Sequence, residues 1–298
     1  MTVRGRARQS KTLIFLHIYK AAGTTLRQII ERNYDPSTVY TVSIAERKSF
    51  SQFKKLSDRE RRKFAVVQGH VRFGLHELVP WPTTYLTMLR EPVDRVLSDY
   101  YFILRAPIHP LYERVALGKV TLRDYVRGKM SLSVDNGQVR VLCGEPDVGY
   151  GHCCGDMLEE AKHNLEDYFS VVGLAERFDE SALLIKRTFG WKMPLYVRHN
   201  VTRDRPHKER IPEEVLGLIE EQNVLDVELY RFASDLFEKA LGEQSNSFKA
   251  ELLAFRYANA LYGRTYPAYR ALRRAGRHTL AFFGLEGLIR SRLGQTER

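Results

Sequence analysis

The amino-acid sequence predicts an α/β fold, a three-layer sandwich in which helices flank a mainly parallel central sheet. Three apolar runs, at residues 13–18, 64–68 and 84–89, support this prediction because each ends in a polar loop. Near-continuous apolar runs are typical of parallel strands that are covered on both faces. Helical spacing follows the first and third runs, at 26–34 and 93–104. Strands that alternate with helices in this way favour a parallel sheet.

The loop after the first run has the features of an anion-binding site. Residues 20–25 read Lys-Ala-Ala-Gly-Thr-Thr, and the helix follows at once. The first N–H groups of a helix lack partners and lie at the positive end of its dipole. The predicted sandwich is therefore P-loop-like. The loop is not a Walker motif, because Lys20 precedes Gly23 instead of following it. Taken alone, the loop also fits a plainer role, with Thr24 as a helix cap and Lys20 as a solvated charge.

Polar side chains also follow the other two runs. His70 follows the second run, Arg90 follows the third, and Ser98 lies two helical turns further on. The carboxyl ends of parallel strands form one edge of a sheet, where ligands of open α/β folds bind. We therefore expect Lys20, His70 and Arg90 to meet in one crevice. The forked guanidinium of Arg90 and the Ser98 hydroxyl suit a phosphate group.

The rest of the main domain is less regular. The sequence predicts a polar stretch with helical patches at 39–63, a short helix at 122–127, a polar turn at 134–140, a Gly-rich loop at 141–154, a helix at 158–165, a strand at 168–172, a helix at 175–189, a basic loop at 197–210 and one or two helices within 212–241.

We divide the chain into a main domain, residues 1–245, and a basic helical tail, residues 246–298. The tail has ten Lys and Arg residues but only three Asp and Glu. Helical spacing recurs there at 248–261 and 279–293, and an amphipathic helix of this kind suits a membrane surface or a partner protein. A terminal helix that packs back onto the domain is the alternative. The basic stripe of the tail consists of Arg270, Arg273, Arg274 and Arg277.

Composition narrows the class of protein. The chain has 298 residues, 44% hydrophobic and 28% charged, which is ordinary for a soluble globular protein. Apolar runs of about 18 residues, as needed for a membrane-spanning helix, are missing. The basic N-terminus has no signal-peptide core, so we expect a cytoplasmic protein, with peripheral contact to the inner face of the membrane through the tail. A net charge of +11 favours acidic partners.

The three cysteines, Cys143, Cys153 and Cys154, are expected to be free thiols, because their number is odd and the expected compartment is reducing. A zinc site is the alternative, since His152 and His163 lie nearby. The spacing of these residues matches no common set of zinc ligands, and we therefore predict no metal.

Several segments together resemble one enzyme family. Residues 17–26 and 90–98 are similar to the two nucleotide-binding motifs of sulfotransferases that use 3′-phosphoadenosine 5′-phosphosulfate (PAPS). Residues 68–73, 135–140 and 161–173 resemble further segments of carbohydrate sulfotransferases, in particular the heparan sulfate and uronyl 2-O-sulfotransferases and their bacterial relatives (sulfotransferase family 2). The resemblance covers about residues 13–241 and leaves out the tail.

The resemblance implies a role for each matching residue. His70 would be the catalytic base, and Lys20 would also stabilise the leaving phosphate. Arg90 and Ser98 would bind the 3′-phosphate. The 5′-phosphosulfate would be held by Lys20, Ala22, Gly23, Thr24 and Thr25, the nucleotide would be covered by a loop with Asn200, Thr202 and Arg203, and the acceptor would be met by Arg72, Asn136, Gln138 and Arg140.

Two positions depart from the family pattern. Tyr19 stands where the family usually has a proline before the lysine. Gln68 stands where the uronyl 2-O enzymes have an additional histidine. The first departure affects the shape of the loop, and the second weakens any inference about the acceptor.

We therefore predict a PAPS-dependent enzyme that transfers a sulfuryl group, without a metal, to a hydroxyl of a glycan or glycolipid. In-line displacement of this kind depends on positioning and charge stabilisation. A kinase of a small hydroxyl substrate is a rival, disfavoured by the position of Lys20 and the lack of a plausible magnesium carboxylate. An inactive nucleotide- or glycan-binding protein is disfavoured because Lys20, His70, Arg90 and Ser98 occur together. Nucleic-acid binding has only charge in its favour and is not predicted.

Overall fold

A computed structural model describes residues 11–42, 50–197, 206 and 208–282, with side chains as far as residue 266. Within these ranges the core of the molecule is a five-stranded sheet with the order β2-β3-β1-β4-β5, and each neighbouring pair is parallel. The prediction of an α/β fold with a parallel sheet is confirmed. The strands are β1 (Thr12–Leu16), β2 (Val39–Val42), β3 (Val66–Gly69), β4 (Thr83–Leu89) and β5 (Phe169–Leu174).

Strand β1 lies at the centre of the sheet, and all five of its residues are buried there. It pairs with β3 on one side, Leu16 opposite Gly69, and with β4 on the other, Leu16 opposite Thr87. An apolar run without alternation is what a strand covered on both faces requires. The loops after β1, β3 and β4 therefore leave the same edge of the sheet as neighbours.

Helices connect and cover the strands, as parallel pairing demands. A second apolar cluster, with Val93, Tyr125 and Ile219, lies beside the main core. The helices are α1 (Gly23–Glu31), α2 (Phe50–Lys55), α3 (Asp58–Arg61), α4 (Pro92–Ile103), α5 (Leu122–Arg127), α6 (Gly137–Leu142), α7 (Gly155–Tyr168), α8 (Phe178–Phe189), α9 (Glu213–Gln222), α10 (Val224–Gly242) and α11 (Ser247–Phe282).

Two segments of the main domain differ from the sequence prediction. The stretch predicted as polar and helical from residue 39 begins with strand β2, a four-residue edge strand too short to show a period. The predicted turn at 134–140 contains the start of α6. Helix α6 forms there because the Asp226 carboxylate accepts the N–H groups of Gln138 and Val139, at 3.0 and 2.8 Å. Such a cap from 87 residues away leaves no local sequence signal.

The tail begins with α11, which is one continuous helix where two segments were predicted. Its first turns belong to the main core, because Phe248, Leu252 and Phe255 are buried in it. The predicted boundary after residue 245 lies just before the start of this helix, and the apolar packing continues across it. Among the described helices, α11 included, none combines the length and the apolar character that crossing a membrane needs.

Candidate active site

The ends of β1, β3 and β4 bring the predicted site residues to one edge of the sheet. Lys20 follows β1, His70 follows β3 and Arg90 follows β4. A guanidinium N–H of Arg90 donates to the main-chain oxygen of Lys20 at 3.1 Å, although the residues are 70 positions apart. The structure therefore joins the loop after β1 to the loop after β4.

The loop between β1 and α1 is tightly coiled. Lys20 and Ala22 both have left-handed backbone angles, with φ of 64° and 59°. At Gly23 a Cβ atom would lie 1.9 Å from the His17 ring, so only glycine fits there. Helix α1 starts without a side-chain cap and without an acidic residue in its first turn. The first turn of α1 thus places no acidic side chain at the positive end of the helix dipole.

Lys20 has an unusual environment for a cation. Its ammonium nitrogen lies 3.7 Å from the centroid of the Phe102 ring, a cation–π arrangement. Burial lowers the pKa of Lys20 to about 8, nearby Asp99 opposes this change, and Arg105 and Arg90 add to it. The Asp99 carboxylate is buried and accepts hydrogen bonds from the hydroxyl groups of Tyr125 and Ser133. Lys20 remains mostly charged at neutral pH but can lose its proton more easily than an exposed lysine.

His70 is held in one tautomer. Its Nδ1 lies 2.9 Å from the main-chain oxygen of His17, which can only accept, so Nδ1 bears the proton and Nε2 has the lone pair. The ring stacks on Tyr19 at 3.7 Å and on His17 at 4.3 Å between centroids. Although part of the side chain faces solvent, crowding by protein, together with the charges of Arg27 and Lys20, lowers the pKa of His70 to about 4. The imidazole is therefore neutral at physiological pH.

Arg90 is fixed by its main chain and by its side chain. The Gln138 amide accepts the Arg90 N–H at 3.0 Å and donates to the Arg90 carbonyl at 2.9 Å. The guanidinium lies 3.7 Å from the Glu176 carboxylate, and Tyr230 donates a hydrogen bond to the same carboxylate. Ser98 lies on α4 and is half-buried. Arg90 is thus presented at the end of β4 with a carboxylate beside it.

Three of the four residues predicted to meet the acceptor lie in the interior of the protein. Asn136, Gln138 and Arg140 are buried. The Asn136 amide oxygen accepts the first N–H groups of α10, and Arg140 pairs with Asp135 and donates to the carbonyls of Val148 and Gly149. These three residues hold the interior together rather than line a cleft. Arg72 is half-buried and lies about 6.0 Å from the Phe50 ring.

The remaining predicted residues belong to the nucleotide-binding loops and to the possible metal site. Ala22 is half-buried at the start of α1, Thr25 is buried behind it, and Thr24 is half-buried. Asn200, Thr202 and Arg203 lie outside the described residues, so their predicted role stays a prediction. The three cysteines are free thiols. In the described ranges no group of three His, Cys, Asp or Glu side chains could hold a metal ion.

Three residues of the site were missed by sequence reasoning. Phe102, which lies under Lys20, is one helical turn after Ser98 on α4, a spacing that places both on one face. Glu176 follows β5, the neighbour of β4, and could have been found from the rule that strand ends meet at one edge. Tyr19 was noted only as a departure from the family pattern, whereas it stacks on the His70 ring.

Comparison with known proteins agrees with the motifs. A model of the galactose-3-O-sulfotransferase family matches residues 3–262. Human galactosylceramide sulfotransferase is 26% identical over 284 residues, covering 86% of this chain and 64% of that protein. Human heparan-sulfate 6-O-sulfotransferase 1 is 26% identical over 275 residues, covering 76% of this chain and 66% of that protein. A crystal structure of a mouse sulfotransferase complexed with PAP matches at 17% identity and a TM-score of 0.40, covering 80% of this chain and 90% of that one.

The chain spans about two thirds of the length of these two curated relatives. The resemblance to carbohydrate sulfotransferases is confirmed, and within that class the matching family is the galactose-3-O group. The match includes the first turns of α11, beyond the limit at residue 241 set by the motifs. Since the family model covers well over half of the chain, the protein belongs to the galactose-3-O-sulfotransferase family.

Proposed function

We propose that this protein transfers a sulfuryl group from PAPS to a hydroxyl of a glycan or glycolipid, and that a galactose 3-hydroxyl is the first acceptor to test. The family and the named relatives support this class of reaction. The observation that supports it most directly is the meeting of a cationic loop, a neutral histidine and an arginine at one sheet edge. Each of these groups has a separate task in sulfuryl transfer.

The hydrogen-bond donors and positive charges of the site suit a bisphosphorylated nucleotide. The uncapped start of α1 and the Lys20 ammonium suit a phosphosulfate, and the Arg90 guanidinium suits a second phosphate. PAPS would supply the activated sulfuryl group and a phosphate leaving group. Lys20 and the α1 N–H groups stabilise the negative charge that develops on the bridging oxygen as the sulfur–oxygen bond breaks. Arg90 positions the nucleotide from its other end.

His70 accepts the proton of the attacking hydroxyl. Its Nε2 has the free lone pair because Nδ1–H is bonded to the His17 carbonyl. The acceptor oxygen then forms the new bond to sulfur, and the electron pair of the broken bond stays on the phosphate. A pKa of about 4 makes His70 a weak but always available base near neutral pH. The positive charges of Lys20 and Arg90 balance the negative charge of the nucleotide product.

The test combines donor binding with transfer. Calorimetry with adenosine 3′,5′-bisphosphate should show binding that falls at least about tenfold in Arg90→Ala. The matched control is Arg123→Ala, an exposed arginine of α5 that pairs with Glu214. Labelled PAPS should then label galactose-terminated glycans or glycolipids in a panel of acceptors. Unchanged affinity of Arg90→Ala, or a strict requirement for ATP and magnesium, would overturn the proposal.

A further inference from the structure

Helix α11 presents two different apolar faces. The first face packs on the domain, where Phe248, Leu252 and Phe255 are buried. A surface helix with one packed face normally has polar residues on the opposite side. In α11 the opposite side is apolar as well, which the packing of the domain does not explain.

The second face forms a stripe that we call the α11 outer stripe: Leu253, Tyr257 and Leu261, with Ala250 and Ala254 on the same face. The side chains of Leu253, Tyr257 and Leu261 are 67%, 70% and 43% exposed. Their spacing of four residues puts them on adjacent turns of one face. Both alanines are exposed too. A continuous exposed apolar surface of this kind marks a contact site.

The charge around the outer stripe is positive. Glu251 is the single acidic residue between 247 and 282, and it faces the domain, where it pairs with Lys186 and Arg187. Lys249 and Arg264 are exposed at the two ends of the stripe, one turn before Leu253 and one turn after Leu261. The same helical segment continues with four more arginines. An apolar face combined with basic residues and almost no acid is the pattern of helices that lie on anionic lipid.

The direction of α11 is set by its contacts with α8. Near the start of α11, Ser247 accepts a hydrogen bond from Arg187 at the end of α8. Further along, Arg256 pairs with Asp179 at the start of α8. The two helices are therefore antiparallel, and α11 runs toward the edge where β5 ends. That edge also bears Lys20, His70 and Arg90. The 26 residues after Arg256 extend the helix by ~39 Å.

We propose that α11 docks on an anionic lipid bilayer, with the outer stripe inserted between the headgroups and the candidate active site on the same side of the molecule. Docking explains why leucine and tyrosine side chains are exposed on consecutive turns of α11. Because α11 runs toward the edge that bears the candidate site, docking would bring that edge close to the lipid, where a lipid-linked acceptor would lie. Docking itself does not depend on the proposed sulfuryl transfer and can be measured without it.

The experiment is sedimentation of the full chain with vesicles. Vesicles of phosphatidylcholine and phosphatidylglycerol in equal amounts should bind the protein, and phosphatidylcholine alone should bind it much less. The triple variant Leu253→Ser, Tyr257→Ser and Leu261→Ser should bind these vesicles with a partition coefficient at least about tenfold lower. Leu117→Ser, which removes a leucine that is 65% exposed on another surface, is the matched control and should bind normally. Added salt should weaken binding.

Three outcomes would overturn the proposal. One is no binding to either kind of vesicle. A second is binding that the triple variant retains in full. A third is a dimer in solution that the triple variant dissociates while vesicles capture nothing, since the stripe would then meet a second copy of the chain. The replaced side chains are exposed, so the melting temperature and the transfer to a soluble acceptor should not change; sulfuryl transfer and docking can therefore fail separately.

Discussion

Two polar regions of this protein looked alike in the sequence but differ in the structure. Lys20, His70 and Arg90 lie at strand ends, where two of them have strongly shifted pKa values and His70 keeps a free lone pair. Asp135 and Arg140 lie in the interior, where each charged group is paired within the protein. Charged residues are thus available for chemistry only where the backbone leaves one side of them open.

The reason for this difference is the cost of burying charge. A buried ion must be paired and hydrogen-bonded, or it destabilises the fold by several kcal/mol. Arg140 meets that demand with the Asp135 carboxylate and several carbonyls. Lys20 is half-buried and has lost part of its hydration, which the Phe102 ring and the Asp99 charge replace only in part. An incoming anion would therefore find Lys20 short of partners.

The largest expected effect is that of His70→Gln. Removing a general base costs about 10²- to 10⁴-fold in kcat. The replaced ring is exposed at one edge, so the melting temperature should change little. His163→Gln on α7, an exposed histidine paired with Asp167, is the control and should transfer sulfate normally. Near-normal turnover of His70→Gln in a labelled-sulfate assay would remove His70 from the mechanism.

Lys20→Met should reduce kcat by about 10²- to 10³-fold, because one positive donor is removed from the oxygen on which charge develops. Methionine keeps the contact with Phe102 and should preserve the fold. The control is Lys54→Met on α2, whose ammonium lies 5.0 Å from the Phe50 ring. If kcat stays within a few fold while only the KM for PAPS rises, Lys20 binds the ground state and the transition state equally and gives no selective stabilisation of the transition state.

Arg140→Met tests the other region and should have the opposite signature. The change leaves the Asp135 charge buried and unpaired, which costs about 3–5 kcal/mol of unfolding free energy. Denaturant titration measures this loss. In the folded fraction, kcat and the affinity for PAPS should be close to those of the unchanged protein. A large fall in acceptor affinity at normal stability would instead return Arg140 to the acceptor site predicted from the sequence.

The sequence predicted best what depends on local patterns. Strands β1, β3 and β4 were found within one or two residues because buried parallel strands are apolar throughout. Strand β2 was missed because four residues are too few for a period. The start of α6 was missed because its cap, Asp226, lies far along the chain.

The site divides in the same way. Lys20, His70 and Arg90 follow predicted strands, so the rule for strand ends was enough to bring them together. The rule for strand ends and the helical spacing place Glu176 and Phe102 near the site, but no motif reports their contacts with Arg90 and Lys20. Gln138 was predicted on the acceptor side, yet its amide fixes the main chain of Arg90. A motif identifies a residue type at a position but does not show which atom it touches.

The smallest expected effect is a shift in the pH profile, and it measures how far Phe102 supports the Lys20 charge. The profile of kcat/KM for PAPS should rise through about pH 4, as His70 becomes neutral, and fall through about pH 8, as Lys20 loses its proton. Phe102→Leu removes the ring under the ammonium group while keeping an apolar side chain. A cation–π contact of roughly 0.5–1 kcal/mol then corresponds to a fall of about half a unit in the upper pH limit.

The control for this shift is Phe232→Leu, which changes a ring 5.9 Å from the ammonium group of Lys162, a lysine on α7. That variant should leave both limits in place. The direction of the shift decides the interpretation. The Phe102 ring stabilises the charged form of Lys20 through the cation–π contact, but its bulk also excludes water, which disfavours the charged form. An upper limit that moves to higher pH in Phe102→Leu would show that Phe102 acts on Lys20 mainly by excluding water rather than by stabilising its charge.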